Sequence, residues 1–403
     1  MNHSTNEPIT LHNRRRPAPG RTESPTGRRI LAGLAGLTLM GAGTTQVAAQ
    51  GCVAVRGADV YQLRPLDNLG LADTNSPSGD WLAEVSSRYI HSTRHFVGDQ
   101  QQYQRQLAGN QVINHQYFED LDLEYAFSPR WSAGLLVPFE FSTRSQFSTA
   151  LHSRFETHAD GLGDLRLGAH AWLLDPVNNP KGNIQLGLAL KLPTGNDGVT
   201  DTFVTSTGAA VVHPVDQSIQ PGDGGWGFSI DINAYRQIFD RTYVYFQGSY
   251  LFNPEDTNDV LTWRDNSSTT PGKVTAGPGS ASYYEHVMSI TDQYFARGGF
   301  TYVLKPSWGL SLSLGGRVEG VPVRDLIGGS DGFRRPGCAI SIEPGIQVMR
   351  GPVSFNISVP WALYRDRQQS VADQRASAVS GTYINGDAAF ADFALTGSLA
   401  IRF

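Results

Sequence analysis

Charged side chains recur at alternate positions along much of this chain. Asp120, Asp122 and Glu124 stand two apart, and Glu140 falls in the next such stretch. Asp164, Arg166 and His170 follow, then Lys191, Asp231, Arg297, Arg317, Glu319 and Glu343. An enzyme reading asks whether a catalytic motif accompanies them. Asp160, Asp164, Asp197 and Asp223 suggest oxygen ligands for a cation such as Ca²⁺. Neither reading finds support around those residues. There is no H-E-x-x-H and no Gly-rich phosphate loop, and Asp in Gly-rich turns ordinarily serves turn geometry. No catalytic residue, metal site or cofactor is expected. Alternation has a simpler meaning, because successive side chains of a strand point to opposite sides of the pleat. The charges then share one face of a sheet.

The elements that hold them are clearest between Gly161 and Gly195. Leu165, Leu167, Ala169, Ala171 and Leu173 fall on one face, against Asp164, Arg166, Gly168, His170 and Trp172. After a turn-rich linker, Ile184, Leu186, Leu188, Leu190 and Leu192 oppose Gln185, Gly187, Ala189 and Lys191. Each run lasts about ten residues, the length with which a tilted strand crosses a bilayer. The same pattern returns around Trp81–Tyr89, Tyr117–Phe127, Trp131–Phe141, Trp226–Ala234, Val244–Phe252, Ile290–Tyr302, Trp308–Val318, Ile340–Val348, Val353–Leu363 and Ala389–Phe403. That makes about twelve strands, an even number. Connections near residues 129, 178, 240, 306 and 351 are short. Those over 94–111, 144–160, 195–224, 253–287, 320–338 and 365–387 are long and polar. Strict alternation of short and long predicts an antiparallel transmembrane β-barrel, with short periplasmic turns, long outer loops and both termini on the periplasmic side.

Composition agrees. The chain has 403 residues, 44 of them Gly, with 17% charged and a formal net charge of −5. Mean hydropathy is −0.27, and barrels look soluble by this average because inward polar residues dilute the lipid-facing ones. No run reaches the roughly 20 apolar residues of a spanning helix. Six Arg against two Glu in residues 1–50 leave the remainder at −9, which gives no support to nucleic-acid binding. Arg14, Arg15, Arg16, Arg21, Arg28 and Arg29 precede an apolar stretch of about 14 residues, and Val47-Ala48-Ala49 offers small residues for cleavage. Residues 1–49 therefore read as a secretory signal. Residues 50–80 read as a periplasmic lead-in or a plug folded into the lumen, and 81–403 as the barrel. Cys52 and Cys338 are too far apart for a metal motif. They pair only if an oxidising periplasm closes them.

Three further features bear on the barrel. Trp131, Tyr125, Phe127, Tyr243, Trp308, Tyr302 and Trp361 recur at strand ends, as interfacial girdles require. The last strand alternates to its final aromatic residue, Phe403, which resembles the signature read by the outer-membrane assembly machinery. Pro138, Pro344 and Pro360 interrupt strand patterns, although a closed barrel has no free edge to accept them. Bends or bulges near the outer rim account for Pro138 and Pro360, but not for Pro344.

Gly161-Leu162-Gly163-Asp164-Leu165-Arg166-Leu167-Gly168, with Lys191-Leu192-Pro193-Thr194-Gly195, resembles the "MetA-pathway of phenol degradation" family, as does Ser128-Pro129-Arg130-Trp131 through Val137-Pro138-Phe139. Asn196 stands where that family commonly has Asp. The resemblance implies an outer-membrane pore or transporter for small aromatic or other hydrophobic compounds, without catalytic residues. The inward charges then line a lumen. They form salt-bridge ladders between strands or a field that selects permeants, and an interior so polar must be wet or closely paired. The acidic group Asp120, Asp122, Glu124 and Glu140 is expected to favour cations. Three alternatives stand beside the channel. One is a structural or adhesion barrel acting through its outer loops without transport. Another is a soluble exported β protein. The third is an outer-membrane phospholipase built on His95, His115 or His152, for which no partner Ser is evident.

Overall fold

The computed structural model describes residues 79–148, 150–205, 207–262 and 277–403. The expected signal segment, residues 50–78 of the lead-in and Cys52 lie outside them, and with them the questions of a plug and of a Cys52–Cys338 bond.

Twelve antiparallel strands close into a barrel. They are β1 (Asp80–Val97), β2 (Ile113–Ala126), β3 (Trp131–Ser148), β4 (Ser153–Leu162, then Arg166–Trp172), β5 (Gly182–Lys191) and β6 (Gly227–Phe239). The circuit continues with β7 (Thr242–Phe252), β8 (Gln293–Lys305), β9 (Leu310–Val321), β10 (Gly337–Arg350), β11 (Val353–Ser358, then Trp361–Arg367) and β12 (Ala388–Arg402). Each strand pairs with the next, and β12 pairs with β1 from Leu82↔Arg402 to Phe96↔Ala388. Trp81 and Phe403 exchange backbone hydrogen bonds of 2.8 and 2.9 Å at the seam. Closure leaves no unpaired edge, which is why the final strand keeps its alternation to the end.

The two faces are inverted relative to a water-soluble sheet. Outward residues such as Leu188, Leu314 and Phe300 are 60%, 53% and 57% exposed, whereas Arg317, Glu319 and Lys191 inside are about 2% or less. Apolar outside and charge inside fits a lipid surround. Trp81, Phe127, Trp131, Tyr302 and Trp308 ring the short-turn rim on the outside, and Tyr117, Phe141, Trp226 and Trp361 lie toward the other rim. Tyr243 departs from the expected girdle. It packs inside with Tyr235, Val303 and Met349 against Trp172, because a period of two puts it opposite its outward neighbour Val244.

One expected loop is also a strand. The ladder of β3 and β4 runs unbroken from Glu140↔Gly161 to Ser148↔Ser153, so this stretch holds a hairpin with turn residues at 150–152. Its charges resemble a loop in sequence because this hairpin continues past the apolar belt. The remaining long connections carry structure of their own. One holds the hairpin Thr200–Val204 with Ala210–Pro214. Another holds the helix Val371–Ser380, started by a Ser370–Asp373 capping box and stopped by Gly381 at φ 71°.

The prolines find a common explanation. β4 breaks at 163–165 and β11 at 359–360. Beside Pro138, β3 switches partners from Leu162, opposite Phe139, to Arg166, opposite Leu136. Beside Pro344, β10 switches from Ser358, opposite Gly345, to Trp361, opposite Ile342. Each proline thus faces a gap where no ladder donor is required. Each contributes its carbonyl instead, Pro138 accepting from Gly163 N (2.8 Å) and Pro344 from Val359 N (3.0 Å). The first gap is sealed by the motif residues. Thr194 Oγ1 accepts from Leu165 N and donates to Gly163 O, and the Asp164 carboxylate accepts from Gly195 N and Asp223 N. A Cβ on Gly195 would lie 2.7 Å from Gly222 Cα, so the close approach requires glycine.

Candidate permeation pathway

The central inward contact joins Arg88 of β1 to both carboxylate oxygens of Glu319 of β9 at 2.9 Å. β1 pairs with β2 and β12, and β9 with β8 and β10, so this bond spans the lumen. It anchors a chain of ion pairs along the wall. Glu319 also accepts from Arg317 (3.1 Å), Arg317 lies 3.9 Å from Glu343, and Arg297 donates to Glu343 at 2.8 Å and to Gln247. Fixed partners satisfy charges that would be costly to bury alone. The guanidinium of Arg317 also lies over the Phe295 ring, 5.0 Å from its centroid.

The other expected lumen residues also turn inward. Glu124 accepts from Ser132 and lies 3.3 Å from His170 Nδ1. Glu140 accepts from Ser142 at 2.6 Å, and Asp231 from Ser229 at 2.9 Å. Lys191 pairs with Asp223 and lies 4.0 Å from Asp164. Asp120, Asp122 and Arg166 are buried and engaged. The acidic group expected to favour cations is therefore not an open acidic surface. At the short-turn end the aromatic cluster around Tyr235 and Tyr243 packs inside the barrel. Side chains lining an open water column would be solvated. Among the described residues these are buried and engaged with partners.

Space opens on the long-loop side. A mouth cavity of about 240 Å³ is lined by Arg105, Arg144, Phe203, Asp216, Phe333 and Arg335, among others. A second of about 80 Å³ shares Gln217, Met288 and Arg335 with it. A third of about 30 Å³ shares Phe118, Asp223 and Gln293 with the second and reaches Asp120, Glu140, Arg166 and Lys191. The three form a line from the loops into the charged lumen. Most mouth residues come from loops, where alternation assigns no facing. Of the mouth residues the sequence singled out His95, and the Arg334-Arg335 doublet was a further signal.

Two carboxylates organise that mouth. Asp216 accepts both bonds of the Arg335 guanidinium at 2.7 and 2.6 Å, and Arg144 lies 3.3 Å away. Burial pushes the Asp216 carboxyl up, but the two guanidiniums outweigh it and hold the group far below the usual carboxylate range. Asp387 bonds His95 at 2.7 Å and Arg105 at 2.8 Å. It is held low in the same way: burial opposes ionisation, and the histidine and the arginine override it.

The enzyme and metal readings gain nothing from the geometry. His95 is bound to Asp387, His115 to Tyr89, and His152 sits in the β3–β4 turn at φ 48°. Gly328-Gly329-Ser330-Asp331-Gly332 matches G-x-S-x-G, yet it lies in a loop and Ser330 is tied to Asp325. Asp164 and Asp223 do come together, around the ammonium of Lys191. Among the described residues no group of three or more His, Cys, Asp or Glu is arranged to hold a metal.

No protein-family model and no curated protein sequence matches the chain. Solved structures do. The COG4313 outer membrane channel from Pseudomonas putida F1 is 14% identical, with 81% of this chain and 96% of that one aligned at a TM-score of 0.51. The P. putida toluene transporter TodX aligns more loosely, at 10% identity over 83% and 94% and a TM-score of 0.38. The CymD monoaromatic hydrocarbon channel aligns at 10% over 90% and 99%, also at 0.38. In fold, the chain is similar to an outer-membrane channel.

Proposed function

We propose that this protein is an outer-membrane channel for small compounds, aromatic or hydrophobic ones among them, of the MetA-pathway of phenol degradation type. The observation that carries the reading is the line of three cavities, which runs from the loop mouth to a lumen closed by the Arg88–Glu319 bridge. A channel needs a route and something that closes it; the cavities are the proposed route and the bridge the proposed closure. The inward charges, Asp120 to Glu343, are then the pore lining. Residues 1–49 direct export, and Phe403, exposed at the rim, is the residue the assembly machinery reads. The name and barrel of the COG4313 channel agree with this reading.

Flux into proteoliposomes tests it. Purified protein should carry small aromatic acids or sugars faster than protein-free vesicles do. A folded barrel that carries none of a broad solute panel overturns the reading. The packed lumen favours a second reading, a structural or adhesion barrel acting through its loops. That reading predicts no flux and a loss of surface binding when a loop such as 322–336 is shortened.

A further inference from the structure

The mouth cavity and the cavity beneath it meet at a neck. Among the described residues the two share Gln217, Met288 and Arg335. The neck is built from opposite walls. Gln217 belongs to a single 3-10 turn, Gln217–Ile219, which Asp216 caps by accepting from Ser218 N at 3.0 Å. That turn is fixed to one wall, where Gln116 of β2 donates to Ser218 O at 2.6 Å and Arg144 of β3 lies 3.3 Å from Asp216. Met288 comes from the other side. Its segment, Val287–Ser289, leads into β8 and bridges in parallel to Phe333, just before β10. Phe333 N donates to Val287 O at 2.7 Å, and Ser289 N to Phe333 O at 3.1 Å. β3 faces β8–β10 across the circuit of strands, so a bond between these loops crosses the bore. Two such ties are made. Gln217 Nε2 donates to Ser289 O at 2.6 Å, and Arg335 grips Asp216 with both arms of its guanidinium.

We propose that Gln217 and Met288 set the size limit for compounds passing from the mouth cavity toward the lumen. The inference rests on the channel reading and deepens it by naming the residues that select. The mouth cavity, about 240 Å³, exceeds the roughly 150 Å³ that holds one benzene ring, and the next cavity, about 80 Å³, falls short of it. A ring-sized permeant that enters the mouth therefore advances only where side chains of the neck give way. The ties differ in how readily they do so. Arg335 and Asp216 make two charge-assisted bonds, the stronger kind. Gln217 reaches across by one neutral bond, which is weaker. Met288 is an unbranched thioether whose rotatable bonds let it reshape around a guest, an aromatic ring included. The yielding side of the neck is the amide and the thioether.

Liposome swelling with a pentose, a hexose and a disaccharide tests it on the full-length barrel. Gln217→Ala should raise the disaccharide rate relative to the pentose rate about threefold or more, while the heat-modifiable gel shift shows the barrel intact. A second test holds the neck shut. Gln217→Cys with Met288→Cys, in a chain also carrying Cys52→Ser and Cys338→Ser, is joined by a short thiol reagent that reductant cleaves. Joining should lower the rate of every sugar about tenfold, and reductant should restore it. A size dependence unchanged in Gln217→Ala, or rates unchanged once loss of free thiols shows the pair joined, overturns the proposal and leaves the channel. A pair that the reagent cannot join does the same, because the two residues then do not meet. No swelling with any sugar through the folded, unaltered protein overturns the channel and the neck together.

Discussion

Arg88 reaches across the barrel to a strand that β1 never touches through its backbone, and Glu319 answers with both oxygens. Removing one partner of such a buried pair leaves charge without compensation, at a cost of about 3 kcal/mol. Arg88→Met should therefore lower the temperature at which the folded gel band converts to the unfolded one. An unchanged transition would mean that the bridge contributes nothing. The mouth carboxylates give a pH dependence of definite sign. Asp216 and Asp387 titrate lower in the folded chain than in the unfolded one. The stability they contribute is complete above the unfolded value of about 4 and is lost as pH falls below it. Hydrogen exchange of the long-loop amides, corrected for intrinsic rate, should be constant from neutral pH to about pH 5 and accelerate under stronger acid. Loosening between pH 7 and 5 would contradict this.

At the scale of elements, two strand gaps and two prolines answer one another. Pro344 faces the gap in β11, so the backbone N–H that Pro344→Val adds has no ladder to complete, and the variant should still give a heat-modifiable barrel. Leu188 sits in an unbroken part of β5, paired with Ala169 on one side and Ile230 on the other. Leu188→Pro should prevent assembly. If both variants assemble equally, the gaps do not explain the prolines. The strands themselves were legible in the sequence because the buried and lipid-facing sides differ so sharply in polarity that a period of two survives over ten residues. The gaps were not, since a break in one strand shows only against the register of its neighbour. The hairpin at 144–160 was hidden because strand beyond the lipid belt has no reason to be apolar outside. Tyr243 was read as interfacial from its place near a turn, although the alternation around it already turned it inward.

For the whole molecule, polarity and closure act together. Charges placed inside a sealed barrel must pair with one another, and the chain supplies partners from strands far apart in sequence, such as Arg88 and Glu319. The inward facing of these groups was legible, but which pairs form was not, because pairing across a lumen depends on closure rather than on local pattern. The mouth was the least legible part, being assembled from several loops. Closure also depends on the final residue, where Phe403 meets Trp81. Deleting Phe403 should reduce the amount of heat-modifiable protein recovered from outer-membrane fractions. Full recovery would remove that residue from the assembly signal.

The central claim is that the chain is a channel closed by a bridge across its lumen, and conductance in planar lipid bilayers tests it most directly. The unaltered protein should be mostly closed, with small or rare openings, and Arg88→Met should raise both the size and the frequency of those openings. Bilayers that stay silent with both proteins, each shown by gel shift to be a folded barrel, would contradict the account.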